Sequence, residues 1–473
     1  MGVATVAYGD DSLKVPLPER TRVLQPPDPL PCLSDPGGAL VRALRAPVGH
    51  EPLRKIVGAK AKVTIAFDDP VMPVNPMRPP DFRELAISVI LEELVRYGVP
   101  LENITLLCAN ALHRKWTVGE LGTILGRKLA YTWSPGRLSC HDAEDPSSIV
   151  TVGQTNRGFI VEVNRAVLES DVFIYLSLPQ SPFNGGWKST VVGLSTWRSI
   201  RAHHRPFPFS TGKSVMDHHR SSFPKLMHEM GVILASELAR RGRRIFQVEA
   251  VLNIAAPQEI VAIFAGDVDR VHEKALEVLE RQLVITIEGQ SDVLIYGVTN
   301  RDHYSKLSVM NPICVRNWGL SYSFGRYRNR PIVRPGGILI LANPCERRFS
   351  RIHHPSYIEL FDSILPEMQD PIEIWDTFAE EFAQRPEYTH KYRYGHAFHG
   401  AHPLILWGQG EFAFRHLGRI FMAGAREPEV ARRLGFLPFP DVEAAIGEAE
   451  ELLGRDCSMT FAPRPPDYIT EVR

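Results

Sequence analysis

The chain of 473 residues is predicted to be an α/β protein with two αβ domains, each on a mostly parallel sheet, and an active site in the cleft between them. Three observations lead there. Apolar runs of strand length alternate with segments of helical spacing. The alternation occurs twice, on either side of one long amphipathic stretch. The chain is also too long for a single ordinary core.

In chain order, the first ~60 residues are Pro-rich and weakly periodic, and read as an extended arm around a short strand or two. Lys62 to Phe67 is then a strand, and Asp81 to Tyr97 a helix carrying Phe82, Leu85, Ile87, Leu91, Leu94 and Val95. Ile104 to Ala109 and Asp171 to Ser177 are further strands. Near-continuous apolar runs of this kind suit parallel strands covered on both faces. Pro224 to Arg241 reads as a helix, and Arg244 to Asn253 with Glu259 to Phe264 as a strand pair. Asp267 to Leu283 is the long amphipathic connector. A second series follows: strands at Asp292 to Val298, Gly336 to Ala342 and Ile420 to Ala423, helices at Pro355 to Ile364 and Asp441 to Leu453. The boundary is placed near residue 285, giving domains 1–285 and 286–473. No internal repeat or low-complexity tract is visible.

Lysine plus arginine equals aspartate plus glutamate at 54 each, which removes any global argument for nucleic acid or an anionic membrane as partner. The six cysteines (Cys32, Cys108, Cys140, Cys314, Cys345, Cys457) form no CxxC pair, arguing against a zinc ribbon or disulfide scaffold and for a reducing compartment. No charged-then-apolar leader opens the chain and no apolar run reaches the ~18 residues of a spanning helix, so the cytoplasm is the expected location.

Ser210-Thr211-Gly212-Lys213-Ser214 ends like a phosphate-binding loop, but Phe207 stands where the first glycine belongs, and the reading is rejected. Gly408-Gln409-Gly410 lacks the third glycine of a dinucleotide fingerprint. Asn184 to Thr190 (NGGWKST) follows a strand and precedes a helix; its glycines and the helix N-terminus could receive a phosphate, and desolvation could make Lys188 nucleophilic. Taken alone, the pattern reads more readily as a surface turn with a solvated lysine. His203-His204 could supply a neutral imidazole to a metal or be exposed polar surface. His113, just beyond the strand ending at Ala109, suits a general base or a packing role. Asp68-Asp69 at the same sheet edge could bind ribose hydroxyls, polarise an imidazole or cap a turn.

Together these segments resemble the nickel-pincer-nucleotide-dependent lactate racemase (LarA-type) superfamily, as a divergent member. The resemblance rests on Ala7-Tyr8-Gly9, Asp68-Asp69-Pro70, Ala111-Leu112-His113-Arg114, Cys140-His141-Asp142, Gly153 to Asn164, Gly185-Gly186-Trp187-Lys188, Ile200 to His204, and Val248 to Gly266. It covers most of residues 5–285 and is thinner beyond. It implies a cofactor, a pyridinium bisthiocarboxylic acid mononucleotide gripping nickel, tethered to Lys188 with His204 as metal ligand. Gly185, Gly186, Ser189 and Asp69 are the implied cofactor contacts. It further implies His113 as the base for a substrate hydroxyl, with the α-hydrogen passing as hydride, so the expected activity is that of a racemase or epimerase. Cofactor-biosynthesis proteins and a small-molecule substrate are the implied partners, and a homo-oligomer is compatible.

Departures from the pattern bear on the substrate. Met72 stands where the family carries a carboxylate-binding arginine, with Arg78 a few residues on as a substitute. Leu178 to Phe183, where a second catalytic histidine is expected, contains none. Tyr304 and Lys306 are similar to the family's substrate contacts at a different spacing, and His402 lies near its last substrate contact. The reading is an isomerase acting on a hydroxyl-bearing carbon of a 2-hydroxyacid or related polyol other than lactate, with the second base missing. The alternative is a catalytically degenerate protein that binds cofactor or ligand on the same fold.

Overall fold

A computed structural model describes residues 2–206, 213–463 and 468–473; residues 210–212 of the rejected phosphate loop lie outside these. The strands, in chain order, are β1 (Gly2–Tyr8), β2 (Asp11–Leu17), β3 (Arg22–Val23), β4 (Val63–Asp68), β5 (Ile104–Ala109), β6 (Leu138–Cys140), β7 (Ile149–Gln154), β8 (Ile160–Asn164) and β9 (Val172–Ser177). They continue as β10 (Ile245–Leu252), β11 (Ile260–Gly266), β12 (Val284–Ile287), β13 (Ser291–Gly297), β14 (Val333–Ala342), β15 (Arg419–Ala423), β16 (Leu437–Phe439), β17 (Met459–Ala462) and β18 (Ile469–Val472).

Two six-stranded sheets organise the chain. The first has the order β11-β10-β9-β4-β5-β6, parallel except for the antiparallel β10–β11 pair. The second has the order β16-β15-β14-β13-β17-β3 and is parallel throughout. β9 and β10 are buried along their whole length, as their unbroken apolar runs require when helices cover both faces. The helix Phe82–Arg96 starts where Asp81 accepts from the Arg83 N–H at 2.9 Å. The helix Val118–Leu125 opens on a reciprocal Thr117–Glu120 capping box.

The start of the chain differs from the extended arm expected of it. β1 and β2, seven residues each, form an antiparallel hairpin whose Val6, Tyr8, Val15 and Leu17 pack with Val293, Ile295, Ile338 and Ile340 of the second sheet, and β3 adds to that sheet's edge. A helix at Pro36–Arg45 was also hidden. Its proline sits at the first helical position, where a missing N–H costs nothing, and Asp35 caps the Gly38 N–H at 2.8 Å. Between the sheets' contributions lie β7–β8 and the helices Pro371–Gln384, Pro386–Tyr394 and His402–Gln409, none of which the periodicity isolated.

In the first sheet β4 is followed by β5 on one side, while β9 joins on the other. The connections diverge at the β4–β9 junction. Open α/β sheets leave a crevice at such a junction, beyond the strands' carboxyl ends. The corresponding divergence in the second sheet lies between β13 and β17.

Candidate active site

A cavity of about 110 Å³ lies at the β4–β9 junction and is closed from above by loops and helices associated with the second sheet. Asp68 ends β4, and its carboxylate accepts from the Tyr175 hydroxyl (3.0 Å), the Ser177 hydroxyl (3.1 Å) and the Leu178 N–H (2.8 Å). Burial raises its pKa against these three bonds. Buried Arg83 reaches from its helix to the carbonyls of Asp68 and Asp69 at 2.9 and 2.8 Å, fixing the turn that carries both carboxylates. These carboxylates therefore hold protein groups.

Asp69 serves the base. Its Oδ2 accepts from the Trp116 indole at 3.1 Å and lies 3.0 Å from His113 Nδ1. With the carboxylate ionised, Nδ1 carries the proton and Nε2 keeps its lone pair. His113 reaches this position through a tight turn after β5, in which Ala111 adopts φ +46° and donates its N–H to Gly193 O at 2.9 Å. A non-glycine residue in that region is strained, and such strain gathers at functional sites. Neighbouring Arg114 is structural: it pairs with Glu120 and stacks on Trp116 at 3.9 Å.

Lys188 lies on the short helix Gly186–Val191, behind the loop that follows β9. Its ammonium sits 4.4 Å from the centroid of the Phe183 ring. Burial lowers its pKa to about 8, partly opposed by Asp68 and Asp69. The glycines before it serve protein packing. A Cβ on Gly185 would lie 2.8 Å from Glu249 Oε1, and one on Gly186 would lie 2.7 Å from the His272 ring. Glu249, wholly buried, accepts the Gly186 N–H at 2.7 Å and lies 3.1 Å from His272 Nδ1. The helix end suggested for a phosphate is thus already met by a carboxylate. Ser189 lines the cavity and donates to the Ser177 hydroxyl at 3.1 Å.

His203 and His204 end the helix Trp197–His204 with their Nδ1 atoms 2.7 Å apart, and His204 lines the cavity. Burial pushes the His203 pKa down to about 3 and the His204 pKa well below its ordinary value, so both rings are neutral near pH 7. Among the described residues no group of three or more His, Cys, Asp or Glu is placed to hold a metal. A metal here would take one imidazole, from His204, and its other donors from whatever carries it.

The second sheet's half contributes His303, Tyr304, Tyr322, His402, Ile405 and Gln409. Tyr304 packs edge-on to His113 at 5.3 Å between centroids, and its hydroxyl lies 2.9 Å from that of Tyr322. His402 lies 5.4 Å from His113 and 4.8 Å from Tyr304. The halves are tied at this point: Tyr392 donates to Ala111 O at 2.9 Å, and the His399 N–H to Leu112 O at 3.1 Å.

Two expected substrate contacts are not brought to the cavity. Arg78 is 65% exposed and pairs with Glu259 at 2.8 Å on the outer side of its loop. Lys306 points its ammonium at Pro73 O, 3.1 Å away. Two polar side chains close in sequence to these motifs, His141 and Gln180, are engaged elsewhere and supply no second base. His141 is buried between Ser195 O and the Asn164 amide, and Gln180 bonds to the Val74 N–H and to Gln258. Brought together are Asp69, His113, Gly185, Lys188, Ser189, His204 and Tyr304. His303 and Tyr322 went unnoticed in the sequence; they lie on a loop and an irregular helix far along the chain from His113.

Residues 8–216 match the lactate racemase N-terminal domain family. The lactate racemase of Lactiplantibacillus plantarum is 26% identical over 236 residues, 49% of this chain and 51% of that protein. The lactate racemase of Thermoanaerobacterium thermosaccharolyticum is 23% identical over 267 residues, 54% of this chain and 56% of that protein. The matched region thus spans about half the length of these curated relatives. In fold, the lactate racemase apoprotein of T. thermosaccharolyticum superposes with a TM-score of 0.71 at 18% identity, covering 99% of this chain and 100% of that one. A protein from Thermotoga maritima superposes with a TM-score of 0.55 at 15% identity, covering 89% and 96% of the two chains.

Proposed function

The chain is a member of the lactate racemase-like superfamily, and from that premise we propose that it is a nickel-pincer-dependent racemase or epimerase acting at a hydroxyl-bearing carbon. The observation that carries the reading is the meeting of Lys188, His204 and His113 around one cavity at the sheet's topological junction.

The residues present fit the cofactor. Lys188 offers a buried amine that loses its proton near pH 8, suited to a covalent tether. His204 offers a neutral imidazole, a ligand type that nickel accepts. When bound, the pincer nucleotide supplies a site that takes hydride from carbon and returns it. The chain's own work is done with protons and position. His113 Nε2 accepts the hydroxyl proton as the carbon–hydrogen bond breaks, and Asp69 stabilises the imidazolium that results. Phe183, Val192, Ile200 and Ile405 keep water from the reacting carbon.

The substrate inference follows from charge. Val71 and Met72 line the cavity where a guanidinium would be needed, and among the described lining residues Lys188 is the one Lys or Arg. A bare lactate carboxylate would be buried without a partner, at a cost of several kcal/mol. A polyol, with neutral hydroxyls to meet Tyr304 and Tyr322, suits the wall better, and a larger 2-hydroxyacid fits where those two hydroxyls donate to its carboxylate. The test is chiral chromatography of 2-hydroxyacids and polyols incubated with the nickel-loaded chain. Interconversion of at least one compound, reduced by about 10²–10⁴ in His113→Ala, is expected. Unchanged turnover in that variant would remove His113 as the base.

A further inference from the structure

Among the described residues four histidines line the cavity: His113, His204, His303 and His402. The fixed tautomer of His113 makes it an acceptor at Nε2. An oxygen that gives up its proton there develops negative charge, and needs a donor to share it. His303 is poorly suited, because its Nδ1 faces the Val71 carbonyl at 3.4 Å and donates there, which leaves Nε2 an acceptor. His402 is different. Its Nδ1 lies 2.5 Å from the hydroxyl of Tyr357, which is buried on the helix Pro355–Glu359.

The direction of that bond follows from the phenol. Tyr357 OH has no other hydrogen-bond partner among the described residues, and a buried O–H left undonated is destabilising. Burial also holds its pKa well above 10, so the phenol keeps its proton. The hydroxyl therefore donates to Nδ1, and the imidazole proton resides on Nε2. The ring is stacked on Phe398 at 4.8 Å and packed edge-on to His113 and Tyr304. Its ionisable neighbours are His113, Tyr304, Tyr357, His354, His399 and His204. No carboxylate is among them to favour an imidazolium.

We propose that His402 is a second catalytic side chain, a neutral imidazole whose Nε2–H donates a hydrogen bond to the same substrate oxygen whose proton His113 accepts. The proposal rests on the hydroxyl chemistry proposed above and assigns a residue to its electrophilic half. Asp69 sets one ring as acceptor, Tyr357 sets the other as donor, and the oxygen is addressed from both halves of the molecule. Tyr357 touches no substrate and is a positioning residue.

The test reads tautomers first. Long-range proton–nitrogen NMR spectra of the full chain without cofactor, labelled with ¹⁵N-histidine, are assigned with His402→Gln and His113→Gln. His402 is expected to show a protonated Nε2 and a bare Nδ1, His113 the reverse, and Tyr357→Phe should abolish the His402 preference. Titration with dihydroxyacetone, a neutral ketone, should move the His402 Nε2–H resonance downfield. A proton on His402 Nδ1, or an Nε2–H resonance unmoved by the ketone, overturns the proposal. In the loaded chain, His402→Leu should lower kcat by about 10²–10³ with little change in KM, while His402→Gln, which keeps an N–H, retains part of it. A Leu variant with wild-type kcat also overturns it. If the loaded wild type interconverts no hydroxyacid or polyol, the proposed function fails, while the spectra still decide the tautomer and donor role of His402.

Discussion

His113 is held by Asp69 and Trp116, and Lys188 by burial against Phe183, so the two groups respond differently to substitution. Asp69→Asn should lower turnover by roughly 10²-fold or more while leaving cofactor attachment at Lys188 intact, since only the tautomer and charge of the base change. Mass spectrometry of the attached group and turnover of the same preparation separate the two effects. For Lys188 the ammonium is disfavoured by desolvation, so the reactive neutral amine accumulates above pH 8 rather than above about 10.5. Acetylation of Lys188 in the cofactor-free chain, followed by peptide mass spectrometry, should rise with a midpoint near pH 8. A midpoint near that of a free lysine would show the side chain to be solvated. These residues were legible because each follows a strand or a glycine pair in a short local pattern. His402 and Tyr357 were not legible as a pair, because nothing local ties them to a cavity whose other wall is built before residue 205.

At the scale of elements, the parallel strands were readable because burial on both faces leaves near-continuous apolar runs, as in β4, β9 and the last six residues of β14. The β1–β2 hairpin was obscured because its outer face is partly exposed and its apolar positions are few. The glycine pair before Lys188 was readable as a feature but not in its purpose, which depends on Glu249 and His272 from β10 and the helix Val268–Leu283. Two expectations follow. Gly186→Ala should displace the Lys188 helix, because the residue has φ +55° and its Cβ would meet the His272 ring. Glu249→Ala should leave the buried Gly186 N–H unpaired and cost about 1–3 kcal/mol. Urea denaturation followed by tryptophan fluorescence checks both; a midpoint equal to wild type would mean that the loop does not depend on this carboxylate.

The whole molecule is two sheets facing one cavity, with the amino-terminal hairpin serving the second sheet rather than the first. Removing residues 2–17 would uncover Val293, Ile295, Ile338 and Ile340, each worth about 1.5–3 kcal/mol when buried. The truncated chain is expected to lose several kcal/mol of stability and to aggregate, which light scattering would detect. The matched family region ends at residue 216, while the structural likeness runs through 99% of the chain. Cofactor attachment is thus proposed for the matched part, while the substrate wall is shared between Val71 and Met72 of that part and Tyr304 and Tyr322 beyond it. The central claim is that Lys188 carries the cofactor. Intact-protein mass spectrometry with metal analysis, after co-expression with the cofactor's biosynthetic enzymes, tests it most directly. The account predicts a covalent adduct that maps to Lys188, near-stoichiometric nickel, and loss of both in Lys188→Ala. An unmodified, nickel-free wild-type chain under those conditions would contradict it.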